Sequence, residues 1–484
     1  MPRELITIQI GQCGIQLGSR FWDLALKEHA VYTKRPIYDD ALSSFFRNVT
    51  EGKNPVELGV GNGRGKIRSL KARSILVDME EGVINQILRS PLGELFDEHQ
   101  LIRDNSGSGN NWARGHCEYG SKYAENVVES VRRTAETCDS LQSFFLIHSL
   151  GGGTGSGLGT YILSKLADES LFIYLENQLV GLSPGALGRE VESEWAFILS
   201  LNQLIQHADC ILPIENQALI DICNRIHSFR DSKDGGGGLG GGGAQKANKS
   251  LLSDGTSKKK EKENAFAQMN TIGAHLLCNL TCSMRFEGHL NVDLNEITMN
   301  LVPFPKLHLL LSSIAPLATM ADKKVSCGVR GMDQMFSQVF SRDSQLTTVN
   351  QRASTYLAAG VIVRGRNVQV SDINRNIDRL RPKLKMIPWN TDGFKIGLCS
   401  APPAHQPYSA LCLANNCAIR GVVGGLADRF SKLFRVRAHV HHYTEYLELQ
   451  EMQAAYRRVR QLASDYEALE NAVPRVRRRI TPVV

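Results

Sequence analysis

Short apolar runs alternate with helical stretches through residues 1–216 of the chain. The runs at 5–10, 74–77 and 144–148 predict strands, and each is followed by a turn rich in glycine or acidic residues and then by a helical pattern. This alternation is typical of a parallel sheet flanked by helices. Three loops should therefore gather at the carboxyl edge of one sheet, where ligands bind in folds of this kind.

A segment with few apolar residues interrupts this pattern at 229–263. It contains GGGGLGGGG followed by KSLLSDGTSKKKEKE, and we expect it to be a flexible insertion because it cannot order itself around a core. The next residues, 264–284, are helical and mostly apolar. They predict a central helix that is buried between domains.

The rest of the chain predicts a second α/β domain at 285–418 and a C-terminal helical region at 419–484. Apolar residues recur there at helical spacing, namely Met452, Ala455, Tyr456, Val459, Leu462, Ala463, Tyr466 and Leu469. With residues 1–228 as a Rossmann-like domain, the fold class is α/β. Its parts are a parallel sheet, a central helix, a second α/β domain and C-terminal helices.

Composition excludes some classes of protein. The 484 residues are 42% hydrophobic and 22% charged, as in ordinary globular proteins. No apolar run reaches the roughly 18 residues of a membrane span, and the N-terminus lacks a signal-peptide layout. We therefore expect a cytosolic protein without a membrane partner. The 11 cysteines form no C-x-x-C pair, which argues against a disulfide framework or a zinc ribbon.

The segment GGGTGSG at 151–157 is the strongest candidate for a ligand site. Glycine accepts positive φ and has no Cβ, so the backbone N–H groups of this loop can turn towards a phosphate, and Thr154 and Ser156 can add hydroxyl donors. The helix predicted after the loop presents an N-terminus that favours negative charge. A flexible turn is the alternative, but the preceding strand and following helix favour a phosphate loop. No G-K-[ST] occurs, so it is not a Walker loop.

GGGTGSG resembles the signature of the tubulin superfamily. The motifs GQCGIQLG, GSGNNWARGH, FEGHLNVDLNE and NLVPFPKLH extend the resemblance through nearly the whole chain. Within the family, FWDLALKEHA, SSFFRNV and KARSILVDMEEGV resemble the epsilon-tubulins most. The resemblance implies a tubulin fold with a GTP-binding domain at 1–228, GTP or GDP as the nucleotide, and Mg²⁺ beside it.

The resemblance also implies which positions face the phosphates and sugar. They are Gln12 and Cys13 after the first strand, Ser149, and the loop residues Gly151, Gly152, Gly153, Thr154 and Gly155. Gly109 and Asn110 resemble the loop that senses the γ-phosphate. Without the family, GQCG would be a tight turn after a strand and GSGNN a surface turn.

Asp78 and Glu80 leave the second predicted strand and would also face the nucleotide. Glu80 resembles the acidic residue that organises hydrated Mg²⁺, an ion that keeps several waters and needs few carboxylates. By themselves, two acids on a loop would be plain surface charge. Tubulins commonly have proline after that acid, whereas this chain has Glu81, which adds negative charge near the site.

Three further positions resemble those that recognise guanine. Asn216 resembles the asparagine that reads the guanine edge, with a helix cap as the alternative. Phe266 and Asn270 lie at i and i+4 on one helix face and resemble the pair that stacks on guanine and hydrogen-bonds it. Tubulins usually have tyrosine at the first of these, and core packing is the alternative for Phe266. Glu192 is the candidate for the ribose contact.

The hydrolytic site of the family is completed by a neighbouring subunit, and FEGHLNVDLNE resembles the loop that this neighbour supplies. Asp293 and Glu296 in it would therefore be catalytic towards the GTP of another subunit, because a carboxylate can orient and deprotonate water. The alternative is a pair of acids that stabilises a helix N-terminus. Whether the chain hydrolyses its own GTP depends on the subunit that docks on it.

The C-terminus is basic, with Arg475, Arg477, Arg478 and Arg479 in VPRVRRRITPVV. Together with KKKEKE it would suit acidic surfaces, including the acidic tails of other tubulins, although a solvated basic end is the alternative. No aromatic residues are interleaved with the arginines, so we expect no nucleic-acid partner.

The leading hypothesis is a GTP-binding cytoskeletal subunit that assembles with alpha/beta-tubulin and centriolar tubulins. The epsilon-type resemblance implies a cytoplasmic, cytoskeletal location at the centrosome, centriole or basal body, with components of these bodies as partners. A second hypothesis is a nucleotide-switched adaptor that never enters a polymer. A third, a dinucleotide oxidoreductase, fits poorly because GQCG lacks the G-x-G-x-x-G pattern.

Overall fold

The computed structural model describes residues 3–33, 36–50, 52, 56–60, 65–168, 191–234, 255–286, 288, 290–317, 329–366, 368–391, 393–404 and 406–472. The strands are β1 (Glu4–Ile10), β2 (Phe46–Val49), β3 (Ser69–Ala72), β4 (Ser74–Asp78), β5 (Leu101–Arg103), β6 (Leu141–Ile147), β7 (Leu310–Ala315), β8 (Tyr356–Gly365), β9 (Phe394–Cys399) and β10 (Tyr408–Asn416). The helices are α1 (Gly11–Thr33), α2 (Asp40–Ser43), α3 (Glu81–Leu88), α4 (Gly120–Glu136), α5 (Gly159–Asp168), α6 (Val191–His207), α7 (Asn216–Asp234), α8 (Gly255–Leu280), α9 (Cys282–Arg285), α10 (Leu294–Leu301), α11 (Val329–Val339), α12 (Val370–Leu380), α13 (Ile419–Arg435), α14 (His441–Thr444) and α15 (Leu449–Glu470). Single π-helical turns, Arg114–Tyr119 and Thr154–Leu158, precede α4 and α5.

The N-terminal sheet is parallel, in the order β5-β4-β1-β6. Every residue of β1 is buried, because helices cover both faces of the sheet. Ile6, Ile8 and Ile10 pack with residues of α4 and α5, whereas Leu5 on the opposite face packs with α1 and α8. The predicted parallel sheet is confirmed, and the three predicted strands fall within β1, β4 and β6 apart from one end residue, His148, which follows β6.

The second sheet is mixed, in the order β7-β10-β8-β9, with β10 antiparallel to both of its neighbours and β8 parallel to β9. Helix α8 lies between the two sheets. Met269, Ile272 and Leu276 of α8 share one core with Leu5 of β1 and Leu411 of β10. The predicted buried central helix and second α/β region are therefore present, and the α/β fold class is confirmed.

The helices extend into the segment predicted as a flexible insertion. Helix α7 continues to Asp234 and α8 already begins at Gly255, ending at Leu280 before the short α9. The prediction of a helix over 264–284 was therefore wrong at its start. Lys, Glu and Ala are strong helix formers, so a polar stretch can continue a helix whose later turns are buried. The glycine-rich part at 235–254 lies outside the described residues.

The C-terminal helices pack against the first domain. Met452, Ala455, Val459, Leu462 and Tyr466 of α15 are buried in one core with residues of α6 and α13. The helical stripe predicted for this region is confirmed, because these residues recur every three or four positions on one face.

A buried ion cluster joins the two domains at the far end of α1. The Glu28 carboxylate accepts hydrogen bonds from Arg285 Nη2 at 2.7 Å and from Arg364 Nη1 and Nη2, both at 3.0 Å. All three side chains are buried. Burial alone would raise the pKa of Glu28, but the two guanidinium groups outweigh it and lower the pKa to about 2. The cluster ties α1 to α9 and β8.

Replacing Glu28 by Gln should destabilise the chain by about 3–5 kcal/mol, because two buried guanidinium groups would lose the carboxylate that neutralises them. The midpoint of urea unfolding measures the effect. Lys27→Ala is the matched control, since it breaks an exposed pair between Lys27 and Asp23 that is worth about 1 kcal/mol or less. Equal midpoints for the two variants would contradict the assignment.

Candidate nucleotide site

A cleft of about 1180 Å³ opens at the carboxyl edge of the first sheet. The loops after β1, β4, β5 and β6 meet there because parallel strands end at the same edge. Its volume exceeds the roughly 300–1,000 Å³ of common ligand pockets and leaves room for a nucleoside triphosphate. The predicted nucleotide residues that line it are Gln12, Cys13, Asp78, Glu80, Gly109, Asn110, Ser149, Gly151, Gly152, Gly153, Thr154, Gly155, Asn216, Phe266 and Asn270.

Glu192, predicted to contact the ribose, lies in the first turn of α6, and its side chain is outside the described residues. Other lining residues were missed by the sequence analysis. Gln16 and Arg20 follow Gln12 at spacings of four and eight on α1, so helical periodicity was the signal that could have found them. Ser108 also lines the cleft, directly before Gly109.

The glycine loop is packed too closely for side chains. Gly152 has a φ of +88°, and a Cβ on Gly153 would lie 2.1 Å from Ser108 Oγ. Thr154 Oγ1 is hydrogen-bonded to Ser108 Oγ at 3.1 Å and lines the cleft. Ser156, expected to add a donor, instead gives its hydroxyl hydrogen to the Gly152 carbonyl and is fully buried. Its hydroxyl stabilises the loop from within.

The loop after β1 touches the glycine loop directly. Gly11 has a φ of +71°, and a Cβ there would lie 3.0 Å from the backbone nitrogen of Gly155. Gln12 and Cys13 follow in the first turn of α1 and face the cleft. Burial raises the pKa of the Cys13 thiol to about 12, so it stays neutral. A neutral thiol adds no repulsion towards a phosphate.

The loop predicted to sense the γ-phosphate has an unusual backbone. Gly109 and Asn110 both have left-handed φ values, of +59° and +56°. The side chain of Asn111 holds the loop, because its Oδ1 accepts from Ala113 N at 2.9 Å and its Nδ2 donates to the His442 carbonyl at 2.9 Å. Such conformations persist only where the surroundings enforce them. The C-terminal region therefore supports this side of the cleft.

Two acids line the cleft where the chain leaves β4. Asp78 is 3% exposed; its Oδ1 accepts from Glu80 N at 3.3 Å, and its Oδ2 is buried without a hydrogen-bond partner. Burial raises the pKa of Asp78 to about 6, and the Glu80 charge adds to the shift. The Glu80 carboxylate lies against Gly107, where a Cβ would approach Oε1 to 2.4 Å. An unpartnered buried carboxylate oxygen fits a cation ligand.

The cleft contains little positive charge to offset a nucleotide. Among its lining residues that the structure describes, Arg20 is the one basic side chain, and it is exposed on α1. Within the described ranges, no three His, Cys, Asp or Glu residues are placed to hold a metal ion by themselves. This fits Mg²⁺, which takes one or two carboxylates together with phosphate oxygens and water.

At the other end of the cleft, Asn216 is 6% exposed and its Oδ1 has no hydrogen-bond partner. The cap interpretation is not supported, because the first helical hydrogen bond of α7 runs from Leu219 N to the Glu215 carbonyl. Phe266 is 47% exposed and lines the cleft together with Asn270, so core packing does not explain it either. An aromatic face and two amides suit a planar base with polar edges.

Residues 4–224 match the Tubulin/FtsZ family, GTPase domain, and residues 305–426 match the Tubulin C-terminal domain. The tubulin epsilon chain of Mus musculus is 49% identical over 442 residues, which cover 91% of this chain and 90% of the relative. That of Homo sapiens is 48% identical over the same shares. The tubulin beta-1 chain of Homo sapiens is 31% identical over 97% of this chain and 95% of the relative. The chain belongs to the tubulin family.

Membership in the tubulin family explains why so many loops meet at one cleft. The GTPase-domain match spans the glycine loop and the turns after β1, β4 and β5, and the chain is a GTP-binding tubulin subunit. Its identity to the epsilon chains is well above that to the beta chain. The resemblance inferred from GGGTGSG and the other motifs is confirmed.

Asp293 and Glu296 do not line the cleft of this tubulin. Asp293 precedes α10 and pairs with Arg3, while Glu296 Oε2 lies 3.0 Å from Lys395 Nζ. The Asp293 side chain makes no capping hydrogen bond to α10. Both acids therefore belong to a separate surface, and any action on GTP would have to be on another subunit.

Two further expectations concern the basic segments and the lack of a membrane span. Arg475, Arg477, Arg478 and Arg479 lie outside the described residues, as do the side chains of KKKEKE. In the part of the chain that the structure describes, no helix is both long and apolar enough to span a membrane.

Replacing Asp78 by Asn should have opposite effects on stability and on binding. The folded-state pKa of Asp78 is raised, so the ionised carboxylate destabilises the folded chain. This destabilisation is absent below the unfolded pKa of about 4 and grows as the pH rises through about 6. Without nucleotide, D78N should be more stable than wild type at pH 7.5, by roughly 1–3 kcal/mol. The difference should vanish at pH 4. GTP binding with Mg²⁺ should weaken, which calorimetry can measure.

Asp104→Asn is the matched control, because Tyr123 and Lys122 lower the pKa of Asp104 to about 2 and it lies away from the cleft. This variant should lose stability and keep its GTP affinity. A D78N protein that is less stable at pH 7.5, or that binds GTP as wild type does, would contradict the account.

Replacing Asn216 by Leu should weaken GTP binding about ten- to hundredfold, because the buried acceptor for the base is removed. Thermal stability without nucleotide should be unchanged or higher, since Oδ1 has no partner to lose. Titration with GTP checks the first effect and thermal unfolding the second. Gln217→Leu, at the next residue and exposed, is the control. Wild-type GTP affinity in N216L would overturn the role of Asn216.

Proposed function

We propose that the chain is a GTP-controlled subunit of the epsilon-tubulin kind that assembles with other tubulins in centrioles or basal bodies. The observation that carries the nucleotide part is that the cleft leaves two buried polar atoms without partners. They are Asp78 Oδ2 and Asn216 Oδ1, and both residues line the cleft together with the exposed Phe266. Each unpaired group costs stability until a ligand satisfies it.

Mg²⁺ is the proposed companion of the nucleotide. Asp78 and Glu80 would hold it, with nucleotide oxygens and water completing its shell. When bound, the ion would add positive charge to that of Arg20, the one basic side chain among the described lining residues. Asp78 must then be ionised, which its raised pKa opposes until the cation arrives.

The assembly part of the proposal rests on the surface around α10. Met299, three residues after Glu296, is 73% exposed, and the exposed rings of Phe304 and Trp389 are in contact at 5.8 Å between centroids. Exposed apolar side chains of this kind are typical of an interface that another chain covers. The printed names of the relatives, tubulin chains, make another tubulin the proposed occupant.

Within such an assembly, we propose that Glu296 acts on the GTP of the neighbouring subunit, with Asp293 beside it. The carboxylate can orient a water molecule and accept its proton. The pair with Lys395 is half exposed and therefore weak, so docking can redirect Glu296 at little cost.

Co-assembly with purified alpha/beta-tubulin tests the proposal. The chain should pellet with the polymer in the presence of GTP and Mg²⁺, and a fluorescent fusion should concentrate at centrioles or basal bodies. GTP binding without co-pelleting under any nucleotide would favour the adaptor hypothesis instead.

Glu296→Gln should leave GTP binding by this chain at the wild-type affinity, because the residue lies outside its own cleft. It should slow GTP hydrolysis on the partner subunit by about a hundredfold or more, because general-base assistance is lost. Phosphate release from co-assembled protein measures the rate. Lys395→Ala is the control that removes the ion pair but keeps the carboxylate. Loss of GTP binding in E296Q would show that Glu296 is not an intersubunit residue.

A further inference from the structure

His148 is a buried titratable side chain that the proposed chemistry does not use. It follows β6 directly, precedes Ser149, and has no exposed surface. Its ring packs against Gly159 at the start of α5, where a Cβ would lie 3.4 Å from the ring atoms. The imidazole is therefore enclosed between the end of the strand and the helix that follows the glycine loop.

The imidazole faces one residue before the turn of the glycine loop and one after it. Its Nδ1 lies 3.1 Å from the carbonyl oxygen of Ser149, which precedes the loop, and the carbonyl of Gly155, within the loop, also faces the ring. Ser149 and Gly155 touch each other, since a Cβ on Gly155 would lie 2.6 Å from Ser149 Oγ. One side chain thus contacts both sides of this turn.

The protonation state of the ring follows from its surroundings. Burial lowers the pKa of His148 to about 4, and the carbonyls of Ser149 and Gly155 only partly offset this. The ring is therefore neutral near pH 7 and carries one N–H. A carbonyl can only accept, so that hydrogen is on Nδ1, whereas Nε2 has no partner.

We propose that His148 is a positioning residue of the GTP site, whose Nδ1–H fixes the Ser149 carbonyl just before the glycine loop and so sets the orientation of the backbone where it enters the loop. The physical basis is the trans peptide, in which C=O and N–H point in opposite directions. A Ser149 carbonyl held towards the imidazole directs the N–H of Leu150 away from it.

This role predicts a difference between two substitutions at the same site. In His148→Asn, the side-chain amide can place an N–H close to where Nδ1 stands, so GTP and GDP affinity should stay within about threefold of wild type. In His148→Phe, the ring volume is kept but the donor is lost. GTP and GDP should then dissociate faster, and affinity should fall about tenfold or more.

The measurement is the dissociation rate of a fluorescent GTP analogue from the full-length chain, together with thermal unfolding without nucleotide. His308→Phe is the matched control. His308 is also buried, with a pKa lowered by burial, but its Nδ1 faces the Pro305 carbonyl, away from the cleft. It should cost stability and leave the dissociation rate unchanged.

Equal loss of affinity in the Asn and Phe variants would show that ring volume, not the donor, is what matters, and would overturn the inference. Wild-type dissociation from His148→Phe would do the same. Should the Phe variant fail to fold, His148→Leu replaces it in the comparison. The inference rests on GTP occupying the cleft, and a wild-type chain that binds no GTP would refute that premise separately.

Discussion

The nucleotide cleft depends on the contact between two glycines. A Cβ on Gly11 would lie 3.0 Å from the backbone nitrogen of Gly155, so the turn after β1 and the glycine loop after β6 touch backbone to backbone. The contact is possible because β1 and β6 are adjacent parallel strands whose carboxyl ends share one edge. It also requires residues without side chains at the two contacting positions. The start of α1 and the placement of Gln12 and Cys13 beside the glycine loop follow from this approach.

Several features of the cleft that suit a ligand lower the stability of the protein without one. Asp78 keeps a buried carboxylate oxygen unpaired and Asn216 keeps a buried amide oxygen unpaired, while Asn110 holds a left-handed backbone. Each of these features opposes folding. Away from the cleft, the Glu28 cluster with Arg285 and Arg364 fixes the far end of α1.

Much of the fold and most of the cleft could be predicted from the sequence, for physical reasons. The spacing of apolar residues predicted the strands, and the glycine content predicted the loop at 151–157. Both signals reflect local backbone geometry. The start of α8 was misplaced because helix formation in a polar stretch depends on the buried turns that follow it. The orphaned atom of Asn216 and the ring of His148 could not be foreseen, since partners and burial are set by tertiary packing. Glu296 remains a prediction, because the subunit that it would act on is a different chain.

In the proposed assembly, the cleft of one subunit faces the acid-bearing, partly apolar surface around α10 of its neighbour. This function requires that the ligand of the cleft is a guanine nucleotide. The nucleotide content of the natively purified chain, measured by chromatography of the released small molecules, should be close to one guanine nucleotide per chain, as GTP or GDP. Stoichiometric NAD or an adenine nucleotide in its place would contradict this function.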